Sequence, residues 1–218
     1  MTLKHVAPPY HPPPADTLKT LHIDDHIIVI DKPSGLLSVP GRGPEKAVCA
    51  VSIVTERHGE ILTVHRLDMD TSGIIVFART KDAQKALSRQ FERRETSKTY
   101  IAVVENLMPS DAGRISLPIA KFSLNRPLRH TSPDGQEAIT NWRVIARSDS
   151  TTRLDLTPET GRSHQLRLHL KDIGHPILGD AFYGNENNAP RLYLHAQSLG
   201  FTHPATGQYV SFNSPAPF

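Results

Sequence analysis

Ile61-Leu62-Thr63-Val64-His65-Arg66-Leu67-Asp68-Met69-Asp70-Thr71-Ser72-Gly73-Ile74-Ile75-Val76-Phe77-Ala78 is the stretch from which the fold reads outward. Residues 61–64 and 74–78 are apolar and β-prone, and the segment between them, His65 to Gly73, is polar and ends in glycine. The pattern predicts two strands joined by a turn that presents Asp68, with the basic pair His65 and Arg66 just upstream. Turns carried on rigid strands hold reactive groups accurately and leave them accessible. Local chemistry alone favours a structural aspartate bonded to nearby backbone amides, in the region of Thr71 and Ser72.

Upstream, residues 1–20 form a Pro-rich tail: Pro8, Pro9, Pro12, Pro13 and Pro14 favour polyproline II and exclude a helix or central strand. Residues 26–31 read as a buried strand, Lys32-Pro33-Ser34-Gly35 as a turn, and Pro40-Gly41 as a loop. Residues 46–58 read as a helix with Val48, Val51 and Val54 at helical spacing and Gly59 as its stop. Downstream, Thr80 caps a predicted helix over 81–94 whose core face is Ala83, Leu87 and Phe91. Strands are predicted at 98–105, 113–119, 138–147 and 153–156, with 125–137 as a long exposed hairpin loop. A helix over 164–173 buries Leu166, Leu170 and Ile173 and stops at Gly174. Strands at 191–196, 197–202 and 208–212 follow, the last two joined by a turn at 203–207. Strands outnumber the scattered helices, which is the signature of an α+β chain on a mostly antiparallel or mixed sheet.

The 218 residues suit one large domain or two small ones. No apolar run approaches the roughly 20 residues that span a bilayer, and the first residues lack a secretory signal pattern. The single cysteine, Cys49, excludes an internal disulfide and a thiolate cluster. Its apolar setting predicts a small buried hydrophobe, and a cytoplasmic chain is expected. A net charge of +3 and a pI near 9.1 fit a polyanionic partner. The cations fall in three clusters: Arg89, Arg93 and Arg94; Lys121, Arg126, Arg129 and His130; and Arg162, Arg167 and Lys171. One such cluster is usually a solvated face. Three in a small basic chain point to phosphate contact.

The string from His65 to Gly73 resembles the HRLDxxTSG signature of the RluA-type pseudouridine synthases, which isomerise uridine in structured RNA. Further segments are similar to that family's motifs and occur in its order. They are Lys32 to Gly41, Lys98-Thr99-Tyr100, Thr160 to His169 (the TGRxHQxRxH block), Gly174 to Asp180 with Tyr183-Gly184, and Leu194-His195-Ala196. The resemblance covers about residue 20 to the end, places the catalytic domain at 21–218, and matches the compact branch without an added S4-type domain. It implies the pseudouridine synthase catalytic fold, with flanking helices and RNA-gripping loops. It implies that Asp68 acts at the ribose of the target uridine, that Tyr100 stacks on the uracil and takes the final proton from C5, and that Arg167 pairs with Asp68. Arg66 would enter the RNA stack in place of the flipped base. Arg162, Lys32, His65, Arg126 and Arg129 would contact RNA. The chain departs from the family at Gly135-Gln136-Glu137-Ala138, where the family often has Gly-Lys-x-Ala, so one RNA contact is expected to differ.

Isomerisation breaks an N-glycosidic bond, turns the uracil and forms a carbon–carbon bond. It needs no redox change or energy input, so neither a cofactor nor a metal is expected, and no nucleotide-binding fingerprint is present. The uridine must leave its stack, at a cost of a few kcal/mol, which a basic surface and a stacking arginine can offset. The implied partner is structured RNA, either a tRNA anticodon stem-loop, a 23S rRNA hairpin of the large subunit, or both, bound by a monomer away from membranes. Rival readings are a nucleoside or glycoside hydrolase using Asp68 and Asp70 at the roughly 5–9 Å spacing of sugar hydrolysis, and an inert RNA-binding module. A metal-dependent hydrolase fits poorly, because His164 and His169 would sit roughly 140° apart on a helix.

Overall fold

The computed structural model describes residues 9–122 and 128–218. In chain order the elements are β1 (Lys19–Ile23), β2 (Ile27–Lys32), α1 (Ala50–His58), β3 (Leu62–Thr63), β4 (Ser72–Ala78), α2 (Lys81–Glu92), β5 (Ser97–Glu105) and β6 (Ala112–Ser116). Then come β7 (Ile119–Lys121), β8 (Arg129–Thr131), β9 (Ile139–Arg147), β10 (Thr151–Pro158), α3 (Gln165–Asp172), β11 (Leu194–Thr202) and β12 (Tyr209–Asn213). One sheet runs β1-β2-β4-β11-β5-β10-β9-β6, with β12 on β11 and β3 on β4, while β7 and β8 form a separate small arm. The chain is α+β as its sequence predicts.

The central strands are buried on both faces, and the alternation of their side chains shows what covers each. Ile28, Ile30, Ile75 and Phe77 pack with Ile53 and Val54 of α1. Their neighbours Ile27, Val29, Ile74 and Val76 turn the other way, onto Ala83 and Leu87 of α2. Helix α3 covers β5, β9 and β10 through Leu166 and Leu170 against Ala102, Val104, Leu154 and Trp142. Tyr100 packs against both the α1 and the α3 cluster, so it sits at the seam between them.

Among the described residues all strand pairs are antiparallel except β4 with β11, which meet in parallel through His195 opposite Ser72 and Ala196 opposite Gly73. Gly73 adopts φ +115, and a Cβ there would lie 2.3 Å from the Ala196 carbonyl oxygen. Only glycine permits this backbone approach. Behind it a directed network fixes the junction. Arg191 donates to Ser72 Oγ, Ser72 pairs with His195 Nδ1 at 2.8 Å, and His195 Nε2 meets the Ser214 carbonyl at 2.9 Å.

Several boundaries differ from expectation, each for a local reason. Helix α1 begins at Ala50, not residue 46, because Cys49 and Ser52 cap it reciprocally: Cys49 Sγ accepts from Ser52 N and Ser52 Oγ from Cys49 N. Cys49 is buried and also a cap, and Val48 lies outside the helix, exposed. Helix α3 starts at Gln165, since His164 takes a left-handed φ of 58°. The strands expected at 191–196 and 197–202 are one strand with a bulge near Gln197, and residues 191–193 precede it. The strand expected at 113–119 breaks after Ser116, and one stretch of the loop expected at 125–137 forms β8, which pairs with β7. Near the amino end, the Tyr10 hydroxyl donates to the Val48 carbonyl and accepts from Leu37 N, which ties this segment to the loop between β2 and α1.

Gly73→Ala combines an unfavourable φ with a backbone clash, and should lower unfolding free energy by about 2–5 kcal/mol. Gly207→Ala has positive φ but open space around it, and should cost about 1–2 kcal/mol. Urea unfolding of both variants checks the difference, and equal losses would contradict the close-approach account.

Candidate active site

The loop from Val64 to Thr71 has no ladder partner, so its backbone groups must be satisfied by side chains. The end of β2 and the turn after it supply them. Lys32, fully buried, donates from Nζ to the carbonyls of Pro33 (2.9 Å), Leu36 (2.7 Å) and Met69 (2.8 Å). Burial pulls its pKa to about 7, against the raising effect of Asp70 and Asp68. Three acceptors match the three N–H groups of an ammonium, so the charged form is the one this geometry fits. Ser34 Oγ donates to the Asp70 carbonyl at 2.6 Å, and Ser38 Oγ to the Leu67 carbonyl at 2.7 Å while accepting from Leu67 N. His65 Nε2 accepts from Val76 N at 3.1 Å, and its ring stacks on Phe91. Burial, aided by the Lys98 charge, lowers its pKa to about 3, so the imidazole is a neutral acceptor. With residues 65, 67, 69 and 70 tied down, Asp68 is left to point its carboxylate into a cleft.

That cleft encloses about 150 Å³ and is lined by Asp68, Tyr100, Arg167, Arg66 and Arg162, among others. Tyr100 arrives by register: on β5 it stands opposite Ala196, which stands opposite Gly73 at the end of the Asp68 loop. Burial, then the Asp68 carboxylate, push its phenol up to about 12. Arg167 comes from α3 and is itself buried. Its Nη1 lies 3.7 Å from Asp68 Oδ2. Its shorter contacts go elsewhere: Nε and Nη2 grip Asp180 Oδ2 and Oδ1 at 2.8 and 2.6 Å in a bidentate fork. Its guanidinium also lies 5.0 Å from the Phe182 ring centre. Burial alone would raise the Asp180 carboxyl, but the Arg167 bonds and charge, with the Phe182 and Tyr183 amides, outweigh it and leave it lowered.

A second contact reaches Asp68 from the other side. Arg129 N donates to the Tyr183 hydroxyl, and that hydroxyl meets His164 Nδ1 at 2.9 Å. Burial lowers the His164 pKa, and a neutral ring that accepts at Nδ1 carries its proton on Nε2. Nε2 stands 3.9 Å from Asp68 Oδ1. Asp180, His164 and Tyr183 thus belong to the site although their sequence gave them no role. Their motifs were visible, but only the fold shows which side chain faces which.

The other expected RNA contacts are scattered. Arg66 is exposed at the cleft, and Arg162 lines it while donating from Nε to the Glu137 carbonyl at 2.9 Å. Arg129 stands on the β7–β8 arm, and Arg126 lies outside the described residues. Lys32 and His65 are not among the cleft-lining side chains and brace the loop from beneath. Asp70 also stays off the lining, its carboxyl raised by burial despite Arg167 and Lys32. Among the described residues no cluster of His, Cys, Asp or Glu is arranged to hold a metal, and no helix is long and apolar enough to cross a membrane.

Comparison with known proteins agrees with this arrangement. Residues 26–172 match the RNA pseudouridylate synthase family model. A "Dual-specificity RNA pseudouridine synthase RluA" of Pasteurella multocida (strain Pm70) is 48% identical over 214 residues, covering 96% of this chain and 98% of that protein. The protein of the same name from Escherichia coli (strain K12) is 45% identical over the same span, with the same coverage. Among solved structures, human RNA Pseudouridylate Synthase Domain Containing 1 superposes with a TM-score of 0.81 at 25% identity, over 95% of this chain and 87% of that one. Human RNA Pseudouridylate Synthase Domain Containing 4 gives 0.73 at 27% identity, over 93% and 91%. The chain belongs to the RluA-type RNA pseudouridine synthases, isomerases of uridine in RNA.

Proposed function

We propose that residues 21–218 form a catalytic domain in which Asp68 attacks the target nucleotide, Arg167 orients it and Tyr100 completes the reaction. The observation that carries this is the meeting, in one open cleft, of a carboxylate and a buried guanidinium at 3.7 Å beside a half-buried phenol. Arg167 is neutralised first by Asp180, so Asp68 is held near positive charge without being locked into a tight pair. A carboxylate in a short bidentate pair would be a poorer nucleophile or base.

With its phenol pushed up to about 12, Tyr100 is protonated in the resting enzyme and stacks on uracil as a neutral ring. A neutral phenol cannot accept the C5 proton, so Tyr100 must first give up its own proton to water in the open cleft. The C5 proton leaves only after the C1′–C5 bond has formed, so Tyr100 acts last, as a phenolate that takes that proton and returns to the resting phenol. Arg66, exposed at the rim, is suited to fill the stack that the everted base leaves, and Arg162 to meet a phosphate.

The substrate in this reading is an anticodon stem-loop, a large-subunit rRNA hairpin, or both. The dual-specificity name of the bacterial relatives supports both. A hydrolase using Asp68 and Asp70 is not favoured, because Asp70 does not line the cleft.

Asp68→Asn should keep RNA binding and lose at least about 10³-fold in turnover, read as tritium release from RNA labelled at uridine C5. Near wild-type release would end the assignment, and free uracil in place of pseudouridine would restore the hydrolase. Tyr100→Phe should bind RNA and stall after Asp68 has acted, so a quench-flow experiment should trap an altered nucleotide; unchanged multiple turnover would remove Tyr100 as the base. Asp180→Asn leaves the Arg167 charge buried with only the longer contact to Asp68 and the nearby Asp70 charge to meet it, and should cost about 3–5 kcal/mol in stability along with turnover. Thermal unfolding and the same tritium assay check this, and a variant as stable and active as wild type would contradict it.

A further inference from the structure

Beside the catalytic cleft lies a second cavity of about 400 Å³ with no part in the reaction above. One wall is the turn after α2 and the start of β5, with Arg94, Thr96 and Lys98; the other is the end of β10, Thr157 to Glu159. Pro158 borders both spaces, so groove and cleft meet there. Lys98 is two residues before Tyr100 on β5. A strand of RNA whose target nucleotide reaches Tyr100 therefore has an adjacent channel open to it.

The chemistry of the groove is that of an anion site. Arg94 stands in the turn at φ 61°, and Lys98 is half-buried with its Nζ 6.0 Å from the Phe91 ring centre. Burial, then the Arg94 charge, lower the Lys98 pKa, as expected of two cations facing one space. Thr96 Oγ1 is buried in the wall with no hydrogen-bond partner among the described residues. The carboxylate that lines the groove and the one paired with Arg94 are both engaged. Glu159 meets Arg114 at 3.4 Å and Asn141 at 2.9 Å, and Glu137 meets Arg94 at 2.7 Å. Both partners of the Arg94–Glu137 pair are about half exposed (47% and 58%), so the pair is weakly held and open to exchange.

We infer that this groove holds the RNA backbone flanking the target uridine, with Arg94 and Lys98 as phosphate contacts and Glu137 as the carboxylate that a phosphate displaces from Arg94. The inference rests on the RNA-isomerase reading. A guanidinium takes phosphate in the same fork geometry as carboxylate, so the exchange needs no rebuilding of the Arg94 side. Glu137 then competes with the substrate and sets how tightly it is held. The bland alternative is that the pair only fastens the α2–β5 turn to the base of the β7–β8 arm, in which case breaking it from either end has the same effect.

The test uses the full chain and a stem-loop transcript that the wild type converts, with KM and kcat from tritium release and binding measured across salt concentration. Arg94→Gln and Lys98→Gln should each raise KM about fivefold and make the salt slope shallower by about 0.7–0.9. Glu137→Gln should lower KM severalfold, and in all three the change should fall on KM more than on kcat. The Glu137 main-chain carbonyl that accepts from Arg162 is kept in that variant. The inference stands if Arg94→Gln and Glu137→Gln move KM in opposite directions; movement in the same direction, or no change in salt slope, overturns it. If Arg94→Gln unfolds early, Glu137→Gln decides alone, a KM that fails to fall being the negative result. A wild type that converts no uridine defeats the isomerase reading itself, which separates the two failures.

Discussion

The site depends on the buried fork between Arg167 and Asp180. A guanidinium removed from water needs a counter-charge and matched hydrogen bonds, or it does not stay there. Asp180 provides both, and it is itself fixed by the amides of Phe182 and Tyr183 at 2.9 and 3.0 Å. With two of its nitrogens so held, Arg167 has Nη1 left to face Asp68. The order of strength matters: the structural pair is short and bidentate, the pair with Asp68 longer. Asp68 is oriented by a charge already largely neutralised, which leaves its oxygens available to a substrate.

The same logic governs the loop that carries Asp68. A segment without ladder bonds would normally be mobile, yet here the carbonyls of Leu67, Met69 and Asp70 are claimed by side chains from the end of β2 and the turn after it. Lys32 serves as the hub, three carbonyls on one ammonium in the core. The tail around Tyr10 reinforces that turn from outside by bonding to Leu37 and Val48. Rigidity at Asp68 is therefore inherited through two layers, from residues that never touch the cleft.

Much of this was legible in the chain. Alternation and apolar runs locate β2, β4, β5, β9 and β10, and Thr80 does cap α2, accepting from Ala83 N at 3.1 Å. The start of α1 was missed because cysteine is rarely a cap, and the start of α3 because nothing in His164 announces a left-handed backbone. The bulge in β11 hid a single strand behind two apolar pieces. Lys32 and His65 have residue types that suit RNA, and their place beneath the loop has no sequence signal. Asp180 was visible as part of a motif and mute about its partner.

The sequence by itself determined most of the secondary elements and the family, and it put Asp68, Tyr100 and Arg167 forward, since these follow from local periodicity and from motifs read along the chain. Only the tertiary structure decided which charges meet. The pairing of Arg167 with Asp180 before Asp68, the approach of Gly73 to Ala196 and the facing of Arg94 by Glu137 join residues 13 to 123 positions apart. Such contacts depend on strand order and register, which are set by how the whole sheet buries its two faces and not by any short stretch of sequence.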